Sequence, residues 1–227
     1  MAVLIKGEIG LKIALVTGLK KEFDKALAAV FAREGYKVYA MGSGQINGVI
    51  SLPLELKEAA AVLLKDAGNV DIYIDVSDER SELDNFNVRS GLNDGVMHEL
   101  YDANVTRPMA MLEAFFPLLE AGRTKRICYL TSQDASINET RGTDGYGYRM
   151  AKAGLHNFLQ ITRNVLAPRG YTIRAYDPCL CDVSASAAAE AAFNYFTRTR
   201  GIERGDELRD DEKNLVFRDA YGRQHSW

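Results

Sequence analysis

Tyr148 and Lys152 are the residues whose types and spacing first suggest chemistry. They bound the segment YRMAK, at the start of a helical stretch. In a helix, residues i and i+4 share a face with Cβ atoms about 5–6 Å apart. A lysine ammonium beside a phenol favours the phenolate and lowers the tyrosine pKa from about 10, which would make Tyr148 a proton donor or acceptor. On spacing alone, such a pair is more often part of a solvated helix face.

Three further polar residues could complete a site around this pair. The apolar run at 126–132 ends in Ser132, and the carboxyl end of a parallel strand lies beside the start of the next helix. A hydroxyl there could hold a carbonyl oxygen against the tyrosine. Ser136 is the competing hydroxyl, four residues further on. Asn104 lies in the helical stretch 94–120, where asparagine is a mediocre helix former and can bond backbone or water instead.

The elements that must position these residues alternate along the chain. Each predicted strand is a near-continuous apolar run, which is typical of a parallel sheet covered on both faces. The pattern predicts one α/β domain over residues 1–227, a doubly wound parallel sheet of the Rossmann-like type. We predict strands at 12–17, 36–41, 70–76, 126–132 and 172–178, and helices at about 22–34, 54–68, 94–120 and 146–167.

The first strand-to-helix turn, TGLKKEFDKA at 17–26, is where such a sheet would bind a phosphate. A dinucleotide turn needs several glycines, because positive φ and close approach to a pyrophosphate exclude side chains. Only Gly18 is present. Taken alone, this turn is compatible with any joint between a strand and a helix.

Composition excludes several classes of function. The chain has 227 residues, 47% of them apolar and 26% charged, which is typical of a soluble globular protein. A net charge of −3 argues against general affinity for nucleic acid or an anionic membrane. The first residues contain only a four-residue apolar run, shorter than the core of a signal peptide, and no later segment reaches the length of a membrane span.

The three cysteines are too few for a disulfide framework, so a reducing, cytoplasmic location is expected. Cysteines and histidines lack metal-ligand spacing, and no metal site is predicted. The mixed charge run at 198–213 is interpreted as a solvated face or mobile loop. The surrounding segment 179–213 has an irregular composition and is expected to be a loop that covers the site.

Taken together, the segments resemble the short-chain dehydrogenase/reductase family over nearly the full chain. The most specific parts are DANVTRPM at 102–109, YLTSQDAS at 129–136 and YGYRMAKAGLHNF at 146–158, in the right order and with believable spacing. The tail NLVFRDAYGRQHSW resembles that of carbonyl-reductase-like, C-factor-like members, which close with a short strand, a glycine turn and a terminal tryptophan. Those members carry a longer loop between serine and tyrosine, which favours Ser132 over Ser136.

The resemblance implies a role for each of four residues. Tyr148 would be the general acid/base, and Lys152 would lower its pKa and bond the nicotinamide ribose. Ser132 would orient the substrate carbonyl. Asn104 would help to hold the water chain that carries protons to Lys152.

The cofactor half departs from the family pattern. The second and third glycines of the family's TGxxxGxG turn correspond to Glu22 and Asp24, which would bring two carboxylates to the pyrophosphate. Each charge pair at about 4 Å costs about 1 kcal/mol in water and about 4 kcal/mol at an effective dielectric near 20. The family's NNAG segment is replaced by DVSD at 75–78, and its later PG becomes Pro178-Cys179.

Lysines offset those acids in part, because Lys20, Lys21 and Lys25 flank them. Lys20 and Lys21 fall near the place where NADP-preferring members meet the 2′-phosphate. The end of the second strand, at 41–43, offers neither an acid for an NAD ribose nor the usual arginine for a 2′-phosphate. On the two lysines, NADP(H) is favoured over NAD(H) or no cofactor. The resemblance implies cofactor contacts at Gly18, Lys20, Lys21, Phe23, Tyr148 and Lys152.

Three hypotheses follow for function. The first is an oxidoreductase that moves hydride between NADP(H) and a carbonyl or secondary alcohol, with Tyr148 handling the proton. The second is a cofactor-free enzyme for proton transfer or isomerisation, and the third a non-catalytic binding protein. The partner is expected to be a small carbonyl or alcohol. A homodimer or homotetramer is expected by resemblance, through the helices at 94–120 and 146–167.

Overall fold

The protein is described by a computed structural model that covers residues 11–198, 203–204, 207–208 and 211–227. Its main sheet has seven strands, and a separate antiparallel pair has two. The strands are β1 (Ile13–Leu19), β2 (Lys37–Gly42), β3 (Val49–Ser51), β4 (Ile72–Asp75), β5 (Arg126–Leu130), β6 (Thr172–Asp177), β7 (Glu203–Arg204), β8 (Glu207–Leu208) and β9 (Val216–Asp219). The helices are α1 (Glu22–Arg33), α2 (Leu56–Asp66), α3 (Asp94–Tyr101), α4 (Arg107–Glu120), α5 (Tyr146–Leu166) and α6 (Ala185–Thr197).

The seven-stranded sheet runs in the order β3-β2-β1-β4-β5-β6-β9, and every neighbouring pair in it is parallel. The strand order reverses at β1, which lies between β2 and β4. In open sheets of this kind, ligands bind beyond the carboxyl ends of the strands at that reversal. The predicted doubly wound, Rossmann-like α/β fold is confirmed.

The sheet is buried on both faces, as its apolar strands predicted. Leu15 faces a core that contains Tyr73, Phe115 and Leu155. Its neighbour Val16 faces the opposite core, because successive side chains in a strand point to opposite faces. The two cores fix the strand ends, and therefore the rim that carries the candidate site.

The long helix predicted at 94–120 is three segments rather than one. A π-helical stretch, Asp102–Thr106, joins α3 to α4. Pro108 lies in the first turn of α4 and needs no backbone donor there. Single π-helical turns inside α-helices occur frequently at functional sites, and this one contains Asn104.

The segment after β6 is more regular than its composition suggested. The alanine-rich residues of α6 pack against the core beside α1, and the Ser184 hydroxyl caps the helix by accepting the Ala187 amide at 3.3 Å. The expectation of an irregular 179–213 was therefore wrong for the part occupied by α6. The strands β3 and β9 were likewise absent from the strands predicted by apolar pattern.

The charge run at 198–213 lies largely outside the described residues. Two of its acids that are described do not face solvent freely. Asp211 is 1% exposed and pairs with Arg218 at 2.9 Å, while Glu212 pairs with Arg126 at 2.6 Å. The interpretation as a solvated face was wrong for these two residues, because buried arginines of β5 and β9 need acidic partners.

The chain end has the form that the resemblance implied. The short strand β9 is followed by Gly222 in a left-handed turn (φ 75°), and the Trp227 ring packs 5.9 Å from that of Phe217. Within the described parts of the chain, no helix is both long and apolar enough to cross a membrane.

Candidate active site

The start of α5 is fixed by Asp84, in the loop after β4. This buried carboxylate accepts the backbone amides of Gly147 at 2.9 Å and Tyr148 at 2.8 Å. A carboxylate is the favoured partner for free amides at a helix N-terminus. Asp84 therefore sets the position of Tyr148 through the backbone, a role that sequence reasoning missed.

The structure brings Ser132, Tyr148 and Lys152 together at the carboxyl end of β5. Tyr148 is 4% exposed and Lys152 is fully buried, with the Lys152 Nζ 5.8 Å from the centre of the Tyr148 ring. One nitrogen of Arg80, its Nη2, lies 3.4 Å from the Ser132 Oγ and 2.9 Å from the Tyr148 hydroxyl, which places both hydroxyls at the same point of the cleft. Lys152 also donates to the Ser77 carbonyl at 2.8 Å, which holds its ammonium group under the site.

Ser136 does not join this group. Its hydroxyl accepts the Glu139 amide at 3.1 Å, so it shapes the following loop. Asn104 is fully buried, and its amide nitrogen donates to the Leu100 and Glu79 carbonyls, both at 2.9 Å. Its oxygen accepts the Glu79 amide at 3.0 Å. Asn104 therefore ties the π-helical turn to the loop after β4.

Asp78, which the sequence analysis assigned to the cofactor half, lies at the centre of the site, and its contact with Tyr148 was missed. Its carboxylate accepts the Tyr148 hydroxyl at 2.6 Å, pairs with Lys21 at 2.7 Å and lies 3.4 Å from the Lys152 Nζ. Burial alone would raise the pKa of Asp78, but Lys152 and Lys21 outweigh it and hold that pKa well below its usual value. Asp78 is therefore a carboxylate at neutral pH.

This carboxylate changes the chemistry expected of Tyr148. Burial, followed by the charge of Asp78, raises the pKa of Tyr148 well above its usual value, despite opposite effects of Arg80 and Ser132. The pKa of Lys152 is lowered by its own burial, against the pull of Asp78 and Asp75. The expected lowering of the Tyr148 pKa by Lys152 is absent in this arrangement.

Arg80 covers the outer side of the tyrosine. Its guanidinium carbon lies 3.8 Å from the centre of the Tyr148 ring, and its Nη2 donates to the Tyr148 hydroxyl at 2.9 Å. The same nitrogen is 3.4 Å from the Ser132 Oγ, and Nη1 pairs with Asp134 at 3.1 Å. The guanidinium thus stands at the two hydroxyls that would receive a carbonyl oxygen.

The opposite side of the cleft, the phosphate turn after β1, is occupied by the protein's own carboxylate. The Asp24 side chain is buried and accepts the backbone amides of Lys20 at 2.8 Å and Lys21 at 2.7 Å. Its pKa is raised by burial, although those amides oppose the rise. Donors of this kind bind phosphate in other folds, but here a side chain has taken them.

The two lysines expected near a 2′-phosphate are paired across the cleft. Lys20 contacts Glu79 at 2.5 Å, and Lys21 contacts Asp78 at 2.7 Å. Phe23 is 1% exposed and belongs to the core beneath the turn, so its side chain does not face the cleft.

Gly18 is required by the fold itself. Its φ is +82°, and a Cβ at this position would lie 2.4 Å from the Ser77 Oγ and 2.9 Å from the Ser77 nitrogen. The glycine therefore allows β1 to approach the loop after β4 closely, with or without a ligand.

These contacts test whether a nicotinamide dinucleotide fits. The phenol, the buried lysine and Ser132 suit the reacting end of such a cofactor. The phosphate side of the cleft does not fit the dinucleotide in this arrangement. Asp24 holds the turn amides, and Asp78 stands between Tyr148 and Lys21. The signal that could have identified Asp78, Arg80 and Asp84 is the charged run SDERSELD directly after β4.

No group of three or more metal-ligating acids, histidines or cysteines occurs among the described residues. Cys128, Cys179 and Cys181 are all free, and burial raises the pKa of the Cys128 thiol to about 12.

Comparison with solved structures shows the same fold in several oxidoreductases. NADPH-bound carbonyl reductase from chicken fatty liver aligns with 96% of this chain and 99% of its own, at 16% identity and a TM-score of 0.75. Carbonyl reductase Sniffer of D. melanogaster aligns with 96% of this chain and 100% of its own, at 12% identity and a TM-score of 0.76. A short-chain dehydrogenase/reductase from Brucella ovis, in complex with a partially ordered NAD, aligns with 83% of this chain and 94% of its own, at 18% identity and a TM-score of 0.64.

Two sequence comparisons agree with the fold. An uncharacterized oxidoreductase of Saccharomyces cerevisiae is 30% identical over 78 residues, which are 34% of this chain and 30% of the yeast protein. The match thus spans less than a third of that curated relative. The family model for short chain dehydrogenase matches residues 12–193, from β1 into α6. The resemblance inferred from the sequence is confirmed, and the chain belongs to the short-chain dehydrogenase family of oxidoreductases.

Proposed function

We propose that this protein is an oxidoreductase that interconverts a carbonyl compound and a secondary alcohol, with Tyr148 as the general acid/base. The observation that carries the proposal is the grouping, at one strand end, of the Ser132 hydroxyl and the Tyr148 phenol, both in contact with the Arg80 Nη2, and of the buried Lys152 ammonium. A phenol beside a second hydroxyl and a cation can both orient a carbonyl oxygen and exchange a proton with it.

Each of these side chains has a distinct task in the proposed reaction. Ser132 and Tyr148 donate hydrogen bonds to the carbonyl oxygen, and Tyr148 passes its proton to that oxygen on reduction or removes it on oxidation. The ammonium of Lys152 stabilises the phenolate that remains. A nicotinamide, when bound, would supply or take up the hydride equivalent.

For this proton transfer, Asp78 must leave the Tyr148 hydroxyl. While the phenol donates to a carboxylate at 2.6 Å, its proton is committed to that acceptor and its pKa is raised. The arrangement described here is therefore a resting state of the proposed enzyme. Displacement of Asp78 exposes the phenol and removes the charge that holds its proton.

We propose NADP(H) as the cofactor, rather than NAD(H). Two lysines, Lys20 and Lys21, stand on the turn after β1, where a 2′-phosphate can pair with them once Glu79 and Asp78 release them. The chicken carbonyl reductase is NADPH-bound and the Brucella protein is in complex with NAD, so the fold accommodates either cofactor. Asp24 must likewise release the Lys20 and Lys21 amides before a phosphate can use them. Gly18, the two lysines and Lys152 would then hold the group.

A second candidate is favoured by the two carboxylates. Asp24 and Asp78 take the amide and cationic partners that a dinucleotide would need. The chain could therefore work without a nicotinamide, either in proton transfer on a carbonyl compound or as a non-catalytic binding protein.

Titration with nucleotide separates the two candidates. We expect NADPH to raise the melting midpoint more than NADH, and Asp78→Gly to strengthen NADPH binding about tenfold, since like-charge repulsion of about 1 kcal/mol or more is removed. Saturation at 100 times the dissociation constant adds about 2.7 kcal/mol of apparent stability. Asp66→Gly is the matched control, because Asp66 also accepts a tyrosine hydroxyl and pairs with a lysine, Lys37, at 2.9 Å.

If neither nucleotide stabilises the wild type or Asp78→Gly at millimolar concentration, the nicotinamide proposal fails and the second candidate replaces it. Stabilisation by NADH alone would retain the oxidoreductase and overturn the NADP(H) preference.

We also propose that the protein self-associates through α4 and α5. These helices line an apolar surface cavity of about 580 Å³. Met109, Ile161 and Val165 on this surface are 40%, 55% and 62% exposed. Apolar patches of this kind commonly mark interfaces, and light scattering is expected to report a dimer or tetramer that Ile161→Glu reduces to monomer. A monomeric wild type would overturn this assignment.

The free cysteines support a reducing, cytoplasmic location.

A further inference from the structure

Among the residues that the structure describes, Arg80 is the one cation hydrogen-bonded to the Tyr148 hydroxyl, the group that the proposed mechanism uses. Its Nη2 lies 2.9 Å from the Tyr148 oxygen and 3.4 Å from the Ser132 oxygen. A carbonyl oxygen held by both hydroxyls would stand where this nitrogen now stands. The substrate must therefore displace the guanidinium. Its affinity then depends on the hydrogen-bond acceptors that it presents to Arg80 in place of the two hydroxyls.

The acceptors that Arg80 uses at the site are the two hydroxyls, besides the carboxylate of Asp134. A ligand oxygen that takes the place of its Nη2 deprives that nitrogen of the Tyr148 and Ser132 oxygens. A carboxylate on the ligand would replace them with a charged acceptor, which a neutral carbonyl compound does not offer.

The carboxylate that now pairs with Arg80 does not depend on it. Asp134 also accepts from Arg149 at 2.5 Å, and Arg149 is itself held by the Thr140 hydroxyl at 3.0 Å. When Arg80 swings toward a ligand, Asp134 therefore keeps a cationic partner. The Arg80 side chain is 54% exposed, which leaves it room to move.

We propose that the substrate is a 2-oxo acid, or the matching 2-hydroxy acid, and that Arg80 binds its carboxylate. The inference rests on the proposed function for the placement of the carbonyl oxygen. The Arg80 guanidinium carbon lies over the Tyr148 ring at 3.8 Å from its centre, and its Nη2 lies at the two hydroxyls, so a short movement brings its donors to a carboxylate next to the carbonyl. A guanidinium and a carboxylate then form two parallel hydrogen bonds, which neither an ester nor a ketone can match.

The test compares two probes that differ only in charge at that position, benzoylformate and methyl benzoylformate. Their binding is measured by calorimetry, without turnover, on the wild type, Arg80→Gln and Arg80→Lys. We expect benzoylformate to bind the wild type at least tenfold more tightly than the ester. Arg80→Gln is expected to abolish that preference, and Arg80→Lys to restore it in part, because lysine keeps the charge but not the fork.

Arg33→Gln is the matched control. Arg33 is 55% exposed and pairs with Glu190 at 2.6 Å, far along the chain from the site. Its loss is expected to leave both affinities unchanged. Melting midpoints within about 2 °C of the wild type show that each variant is folded.

The outcomes separate this inference from the proposed function. Failure of benzoylformate to bind below 10 mM (roughly −2.7 kcal/mol), equal binding of acid and ester, or an unchanged preference in Arg80→Gln overturns the inference. Turnover of neutral ketones with no preference for acids would leave the oxidoreductase standing without it. Selective binding of benzoylformate through Arg80, without turnover of any carbonyl compound, would support the inference and contradict the oxidoreductase.

Discussion

The two sides of the cleft differ in whether the protein's own side chains occupy the groups that a ligand would need. On the reacting side, Ser132, Tyr148 and Lys152 meet as the strand and helix that carry them require. On the phosphate side, Asp24 takes the amides that a phosphate would use, and Asp78 pairs with a lysine of the turn. The comparison shows that a Rossmann-like fold can hold a proton-transfer group in place while its own carboxylates bond the amides and the lysine that a dinucleotide would contact.

Local energetics explain how the phosphate side tolerates this exchange. Free amides at a helix start must find an acceptor, and a carboxylate in the first turn is stabilising by about 0.3–1 kcal/mol. Asp24 provides that acceptor inside the chain. The turn is therefore complete without a ligand, and any phosphate must compete with a tethered carboxylate.

The largest effect is expected on the reacting side. Tyr148→Phe removes the proton donor, so turnover of a carbonyl substrate is expected to fall by about 10²–10⁴, measured as kcat/KM. Tyr146→Phe makes the same change two residues away and is expected to keep most of the activity. Turnover within threefold of the wild type in Tyr148→Phe would remove Tyr148 from the mechanism.

The second-largest effect is expected at Gly18, where β1 lies close to the loop after β4. Gly18→Ala forces a left-handed alanine, worth about 1–2 kcal/mol, and presses a Cβ against Ser77 at 2.4 Å from its Oγ. A total loss of about 3 kcal/mol of unfolding free energy is expected in urea titrations. Gly35→Ala has a φ of +86° with no atom within 4 Å, so it should show only the left-handed penalty. Equal losses would deny that close approach requires Gly18.

A smaller effect is expected where the two sides meet at Asp78. Asp78→Asn removes the charge that raises the pKa of Tyr148, so the phenolate forms at lower pH. For alcohol oxidation, the rising limb of kcat/KM against pH should therefore move to lower pH. Asp66→Asn is expected to leave the limb in place. An unmoved limb in Asp78→Asn would separate Asp78 from the titration of Tyr148.

The smallest effect is expected at His225, near the chain end, which pairs with Glu139 in the loop between Ser132 and Tyr148. His225 lies 2.9 Å from both Glu139 and Asp219, which raise its pKa although burial opposes them. Its stabilisation is fully present below about pH 6.5, the unfolded value, and is lost as pH rises through the higher folded pKa. Relative to His225→Gln, the wild type should gain about 1 kcal/mol at pH 6 and less at pH 9. A difference between the wild type and His225→Gln that stays constant with pH would exclude the linkage.

The apolar strands made most of the fold predictable, because parallel strands buried on both faces leave a clear signal. Weaker signals failed at β3, which has only three residues, and at α6, whose many alanines carry little apolar contrast. The reacting group was predictable because Tyr148 and Lys152 are one helical turn apart. Asp78 and Arg80 were not, since only the folded loop shows that charged residues after β4 reach the tyrosine.

The hydrogen bonds of Asn104 to both backbone groups of Glu79 bear on how quickly the cleft can respond to a ligand. They anchor the main chain beside Asp78 and Arg80, so what remains free to move there is side-chain torsion. Rotamer changes of exposed side chains take picoseconds to nanoseconds, whereas loop rearrangements extend to microseconds. Association is therefore expected to be governed by diffusion and orientation, with single-exponential binding traces whose rate rises linearly with ligand concentration.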